Sequence, residues 1–202
     1  MTHKNKKECE TLEKNTFALE YFTLHGLWPN KNSCDIYYNY CSDIPEEKGD
    51  FCTLPDYNLE PAIAEKLKQA MPSAQAKTCL DRHEWWKHGV CRDKSATDYF
   101  KLSLELLEQV NKSTFVTEFL RSSTGKKVTR TQLSAAFRKA FGPSTDSKIG
   151  IYCTKEMLTE IQINLPKELN KSLKDLITAS SIQPKKGTCP ESFLIPQITP
   201  KP

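Results

Sequence analysis

Apolar positions recur along this chain with two different periods, and the change of period divides it into a mainly helical and a mainly extended part. Leu59, Ile63, Leu67 and Met71 return at close to helical spacing, and Asn58 is placed to cap the helix they predict. Tyr99, Leu102, Leu106 and Val110 form a second apolar stripe, which Ser95 caps. Phe115, Phe119 and Leu120 predict a short helix that ends in the turn Ser122-Ser-Thr-Gly-Lys. Thr129 or Thr131 opens another, with Leu133, Phe137, Ala140 and Phe141 facing inward, and Gly142-Pro143 closes it. Residues 148–153 and 157–165 then read as strands. In the second, Thr159, Ile161, Ile163 and Leu165 alternate with Glu160, Gln162 and Asn164, as a sheet with one buried face requires. Residues 192–195 add a last short strand, and the early run 17–24 reads as one too. Helices and strands are largely segregated, so the expected class is α+β.

At 202 residues the chain suits one domain with room for a sizeable core. A hydrophobic share of 38% and a charged share of 27% are those of a soluble globule. No run of 18 apolar residues exists to span a membrane. The polar tail 1–8 has the charges of a signal peptide without its apolar region. Eight cysteines without Cys-x-x-Cys spacing argue for disulfides and an oxidising compartment, and so for an exported protein whose signal has been removed. The net charge of +4 is too mild to carry an argument about partners, and the lysine pairs at 126–127 and 185–186 read as solvated surface. The sequons at Asn111 and Asn170 are weak patterns. Residues 30–51 form a long polar loop in which Tyr37, Tyr38 and Tyr40 lie between Cys34 and Cys41, and a loop of that length is usually functional or cross-linked. No internal repeat is present, and the Pro-rich tail 196–202 closes the chain.

Chemistry concentrates in His83-Glu-Trp-Trp-Lys-His-Gly-Val-Cys91. On a helix at about 100° per residue, with His83 at zero, Lys87 falls near 40°, Glu84 near 100° and His88 near 140°. Trp85 and Trp86 fall near 200° and 300°, so a titratable face opposes an indole face that buries. Gly89 is expected to stop the helix. A second stretch, Thr23-Leu-His-Gly-Leu-Trp-Pro29, sets His25 at the end of an apolar run, with Gly26 allowing a tight turn. Three of the four histidines lie in these stretches, and His3 sits apart in the polar tail. Two separated imidazoles are what paired acid and base catalysis requires, one giving a proton while the other takes one. A zinc hydrolase needs His-Glu-x-x-His with the second ligand at i+4. Here it comes at i+5, with no third ligand evident. A disulfide-stapled binding or toxin-like module would have no need of all five residues His25, His83, Glu84, Lys87 and His88.

His-Gly-Leu-Trp-Pro at 25–29 and His-Glu-Trp-Trp-Lys-His-Gly-Val-Cys at 83–91 together resemble the two active-site segments of the ribonuclease T2 family of acid endoribonucleases. The resemblance covers roughly residues 9 to 195, and residues 129–189 look like its bacterial periplasmic branch. It implies a single α+β domain with a mainly antiparallel sheet packed against several helices. It implies cleavage of single-stranded RNA, and not DNA, through 2',3'-cyclic phosphates to 3'-phosphate ends, by a secreted or periplasmic monomer without metal or other cofactor. His88 is then the general base and His25 the general acid, Lys87 and Glu84 stabilise the transition state, and His83 binds phosphate. Trp28 is expected to stack on a base, and Asn30, Tyr37 and Tyr38 to contact substrate. Many relatives have Asp where this chain has Asn30, so base preference does not carry over. The usual extra strand with a Leu-x-x-Ser-Trp-like run is not found upstream of Cys9. Four disulfides are implied: Cys52 to Cys91, Cys153 to Cys189, Cys9 to Cys79 and Cys34 to Cys41. With Lys87 beside His88 lowering the pKa of that base, an optimum of roughly pH 5 or 6 is expected.

Overall fold

The computed structural model of the chain describes residues 16–30, 38–44, 46–47, 49–74, 78–181 and 187–197. The chain divides into two compact units, 1–108 with 198–202 and 109–197.

The first unit is helical. It holds α1 (Thr16–Glu20), α2 (Pro61–Ala70), α3 (Leu80–Lys87) and the first three turns of α4 (Ala96–Lys112). Its core gathers Ile63, Leu67 and Met71 from α2, Trp85 from α3, and Ala96, Tyr99 and Phe100 from α4, with Leu24, Leu27 and Tyr57 packed against them. Ile63, Leu67, Met71 and Tyr99 belong to the stripes read from the sequence, whereas Ala96 and Phe100 lie outside them. Ser95 caps α4, its hydroxyl accepting from Asp98 N at 3.1 Å. Asn58 does not cap α2, because Pro61 occupies the first helical position, where its missing N–H has no partner to lose. The run 17–24 is not a strand. It begins as α1, and then Leu24 N donates to Ala70 O at 2.7 Å, satisfying a carbonyl at the C-terminal end of α2.

The second unit carries the sheet: β1 (Lys127–Thr129), β2 (Ile149–Thr154), β3 (Met157–Ile163) and β4 (Ser192–Leu194), in spatial order β1-β4-β3-β2. The β1–β4 and β2–β3 pairings are antiparallel and β3–β4 is parallel, so the sheet is mixed but mainly antiparallel. A π-helical turn (Phe115–Leu120), α5 (Arg121–Ser123), α6 (Arg130–Phe141) and α7 (Leu173–Ala179) complete the unit. Thr129 opens α6 with a capping box, its hydroxyl accepting from Gln132 N while the Gln132 side chain accepts from Thr129 N. Leu133, Phe137 and Phe141 of α6, Leu173, Leu176 and Ile177 of α7, and Phe193 of β4 are buried. β3 departs from simple alternation. A bulge between Tyr152 and Cys153 shifts its register, and Leu158 is buried while Ile161 and Ile163 are only partly so. Asn111 is buried, which removes the first sequon from the surface.

Three disulfides join described residues: Cys41 to Cys91, Cys52 to Cys79 and Cys153 to Cys189. The last is as expected. The other expected pairs, Cys52 to Cys91, Cys9 to Cys79 and Cys34 to Cys41, are corrected. Cys79 and Cys91 flank the eight-residue α3, whose rise is about 12 Å, and a bridge needs its Cα atoms within about 7 Å. Cys52 therefore reaches one end, at a Cα separation of 5.0 Å from Cys79, and Cys41 reaches the other, 5.0 Å from Cys91. Cys9 and Cys34 lie outside the described residues. No helix among the described residues is long and apolar enough to cross a membrane.

Candidate active site

α3 carries the titratable cluster and is held at both ends. At its start, Cys79 is bridged to the 3-10 turn Phe51–Thr53, and the Arg82 guanidinium donates to Cys52 O at 3.1 Å and Leu54 O at 2.9 Å. At its end, Lys87 O accepts from Tyr40 N at 2.8 Å, and Cys91 is bridged to Cys41. The helix does not stop at Gly89 but tightens into a 3-10 turn over Gly89–Cys91. Gly89 is needed for close packing, since a Cβ there would overlap the Trp85 ring and fall 3.1 Å from Tyr99 Cγ.

The expected split into a titratable face and an indole face is only partly realised. Trp85 is buried and Trp86 partly so, its indole donating to Pro55 O at 2.8 Å. Glu84, however, is buried more deeply than either indole, at 1% exposure, because the His25 segment lies over it. His25 Nε2 stands 3.7 Å from Glu84 Oε1 and Trp28 Nε1 donates to Glu84 Oε2 at 2.7 Å. Gly26 is what lets that backbone approach: a Cβ there would overlap the carboxylate and sit 2.9 Å from Trp28 Nε1. Its role is clearance rather than a positive φ.

The imidazoles surround this carboxylate. The His25 and Trp28 ring centroids are 5.0 Å apart in an edge-on pair, Trp28 and His88 are 5.6 Å apart, and His83 and His88 are 6.3 Å apart. His83 also stacks on Phe51 at 4.0 Å. Burial first, and then the Lys87 ammonium, pull both histidines of α3 well below the ordinary value: His83 to about 4 and His88 to about 3. Both are therefore neutral imidazoles at mildly acidic pH. Lys87, on the last turn of α3, is the cation nearest in effect to both.

The structure brings His25, Trp28, His83, Glu84, Lys87 and His88 into one cluster within the first unit. Asn30 is exposed beyond it, and Tyr38 is half-buried with its hydroxyl donating to Cys91 O at 2.8 Å, an anchor for the loop. Tyr37 lies outside the described residues. His83, Glu84 and His88 offer ligand atoms within 4.8 Å of one another, so the third ligand missing from the linear motif is Glu84 itself. That spread is looser than the roughly 3.4 Å between donors sharing one tetrahedral zinc at about 2.1 Å.

Sequence reasoning missed the part played by Tyr99, which was read as one apolar position among four. Its hydroxyl, fully buried, accepts from Leu27 N at 3.1 Å and donates to Leu27 O at 3.0 Å. The segment between His25 and Trp28 is thereby fixed from beneath, and burial holds the phenol far above its ordinary pKa. A lone tyrosine in a helical stripe carries no signal for this, because its partner is a backbone 72 residues away.

Known proteins resemble this chain in sequence and in fold. The chain is 28% identical over 211 residues to ribonuclease I of Escherichia coli, covering 94% of this chain and 76% of that protein. It is 32% identical over 95 residues to extracellular ribonuclease LE of Solanum lycopersicum, covering 45% of this chain and 38% of the relative. In fold it resembles ribonuclease MC1 from the seeds of bitter gourd, with a TM-score of 0.53 at 20% identity over 87% of this chain and 85% of the other. A variant of the same protein in complex with 5'-UMP gives 0.54 at 19% identity over 87% and 83%. The Ribonuclease T2 family model matches residues 2–189, nearly the whole chain with both histidine segments, and the chain therefore belongs to the ribonuclease T2 family of endoribonucleases.

Proposed function

We propose that the protein cleaves single-stranded RNA by transesterification, with His88 as general base and His25 as general acid. The observation that carries this reading is the convergence of His25, His83 and His88 around the buried Glu84, with Lys87 on the same helix turn. A base with a low pKa is available as the neutral imidazole in acid, which suits His88. It takes the proton of the 2'-hydroxyl. The oxygen attacks the adjacent phosphorus, which it reaches at high effective concentration. As the bond from phosphorus to the 5'-oxygen breaks, protonated His25 gives its proton to that leaving oxygen, and a 2',3'-cyclic phosphate remains. Water then opens the ring with the two roles exchanged, giving a 3'-phosphate.

Negative charge accumulates on the non-bridging oxygens, and the Lys87 ammonium is the counter-charge at hand. Glu84 faces His25 and orients its imidazole. His83, stacked on Phe51, supplies an N–H to the phosphate. Trp28 is 39% exposed, and we assign that exposed surface to the stacking of a base. Asn30 lies close in sequence to that face, and we assign it and the tyrosines of the 37–38 pair to substrate contact. The protein acts as a monomer after export to the periplasm or the exterior. Its disulfides and its relative named extracellular support that location.

Incubation with RNA, with its 2'-O-methyl analogue and with single-stranded DNA, each in EDTA, tests the reading. RNA alone should be cut, with cyclic phosphate ends at early times. Cutting of DNA would remove the 2'-hydroxyl mechanism, and loss of RNA cleavage in EDTA would turn His83, Glu84 and His88 into metal ligands.

A further inference from the structure

We propose that Trp28 is a positioning residue for Glu84, in addition to presenting a face to the substrate; this rests on the assignment of Glu84 to the reaction. A carboxylate exposed to only 1% of its surface must be held by donors, or its burial is too costly. The indole is a donor and nothing else, and its N–H meets Glu84 Oε2 at 2.7 Å. That commits one carboxylate oxygen to Trp28 and turns the other, Oε1, towards His25 Nε2 at 3.7 Å. The orientation of the carboxylate is thus fixed by a side chain that is itself at the surface.

Three features of the fold serve this contact. Gly26 lacks the Cβ that would overlap the carboxylate. Tyr99 grips both backbone groups of Leu27, the residue between Gly26 and Trp28, and so sets where the indole hangs. The indole ring centroid lies 5.0 Å from that of His25 and 5.6 Å from that of His88, while its nitrogen meets the buried carboxylate. Phenylalanine at position 28 would offer a base a comparable ring and would offer Glu84 nothing.

The test is Trp28→Phe with two RNA oligonucleotides, one intact and one abasic at the positions flanking the scissile bond. Loss of a charge-assisted hydrogen bond to the carboxylate that orients the general acid should lower kcat by roughly tenfold or more on both substrates. KM should change by less than about twofold, and His88-dependent rise of the pH profile should keep its position. Unchanged kcat, or a loss that vanishes on abasic RNA, would overturn the proposal and leave Trp28 a stacking platform only. Gly26→Ala provides the same reading if the first variant does not fold, because it pushes the carboxylate off the indole while keeping the ring. Wild-type kcat in Gly26→Ala would equally reject it. An inactive wild type would defeat the assignment of the reaction instead, and the hydrogen bond is still read by NMR. The Trp28 indole N–H resonance should move upfield in Glu84→Gln by more than those of Trp85 and Trp86, and an unmoved resonance means the contact is absent.

Discussion

Replacing Lys87 by Met removes a charge and keeps most of the stem, and the consequence for pH dependence can be worked from the site. His88 is drawn from 6.5 to about 3, first by burial, second by Lys87 and then by His83 and His25. The second of these causes accounts for less than half of the displacement. Lys87 and His88 are neighbours in the chain, and for a generic separation on the order of 8 Å two unit charges repel by about 2 kcal/mol at an effective dielectric constant near 20, which corresponds to about one and a half pH units. The Coulomb figure lies within the bound set by the order of causes, so the effect of Lys87 is taken as about one to one and a half units. The sign follows from the charge: without the ammonium, imidazolium is easier to form and the pKa of His88 rises. The base is then lost at a higher pH on the acid side. In kcat/KM measured on RNA from pH 2 to 8, the acidic limb of Lys87→Met should therefore move up by about one unit. The plateau should fall on the order of a hundredfold, because a cation at the transition state is gone. An acidic limb that stays in place while the plateau falls would show that burial alone sets the base and refute the electrostatic part. Since Lys87 also depresses His83, the limb belongs to the coupled pair, and His83→Asn in the Lys87→Met background should leave a single step.

Tyr99→Phe should lower stability by about 2 kcal/mol, roughly 4–8 °C in Tm, because the N–H and C=O of Leu27 both lose their buried partner. An unchanged Tm by calorimetry would mean that water replaces the hydroxyl. Non-reducing peptide mapping should return Cys41 linked to Cys91 and Cys52 to Cys79, and a Cys52 to Cys91 fragment would contradict the fold around α3. Removing Cys153 and Cys189 together opens a sequence separation of 36 residues and should cost about 4 kcal/mol in urea unfolding, on the chain-entropy argument. His83 and His88 have depressed pKa values when folded, so below about 6.5 the unfolded chain takes up protons that the folded chain refuses until about 4 and 3. The stability they permit above pH 6.5 is lost as pH falls towards those values. The urea midpoint should drop between pH 7 and 4.5, and by less in His88→Gln; equal drops would reject the assignment.

The local periods of the sequence determined much of what was found. Helices α2, α4 and α6 stand where Ile63, Leu67, Tyr99, Leu106, Leu133 and Phe137 recur, because a single helix must bury its stripe whatever it packs against. Turn and cap residues acted locally too, as Ser95, Thr129 and Gly142 show. The two histidine segments were legible for a different reason, since their composition is unusual in itself. α7 escaped notice although Leu173, Leu176 and Ile177 are all buried, because seven residues hold too little of a period to stand out. The three-residue β1 did also, since such a strand exists only through its ladder to β4.

Only the tertiary structure decided which residues face one another. The run 17–24 has the composition of a strand and lacks a ladder, so it became a short helix and a cap for α2. Cysteine pairing depends on which end of α3 each loop reaches, and spacing along the chain holds no such distance. The same holds for Glu84. A helical wheel sets its direction but cannot bury it, and its burial came from a segment some sixty residues earlier, brought in by Gly26, Trp28 and the hydroxyl of Tyr99. Sequence fixes periodic, local preferences because their energies sum within a few turns. The carboxylate, its indole donor and the low pKa values of His83 and His88 arise from burial, and burial is a property of chains that have met.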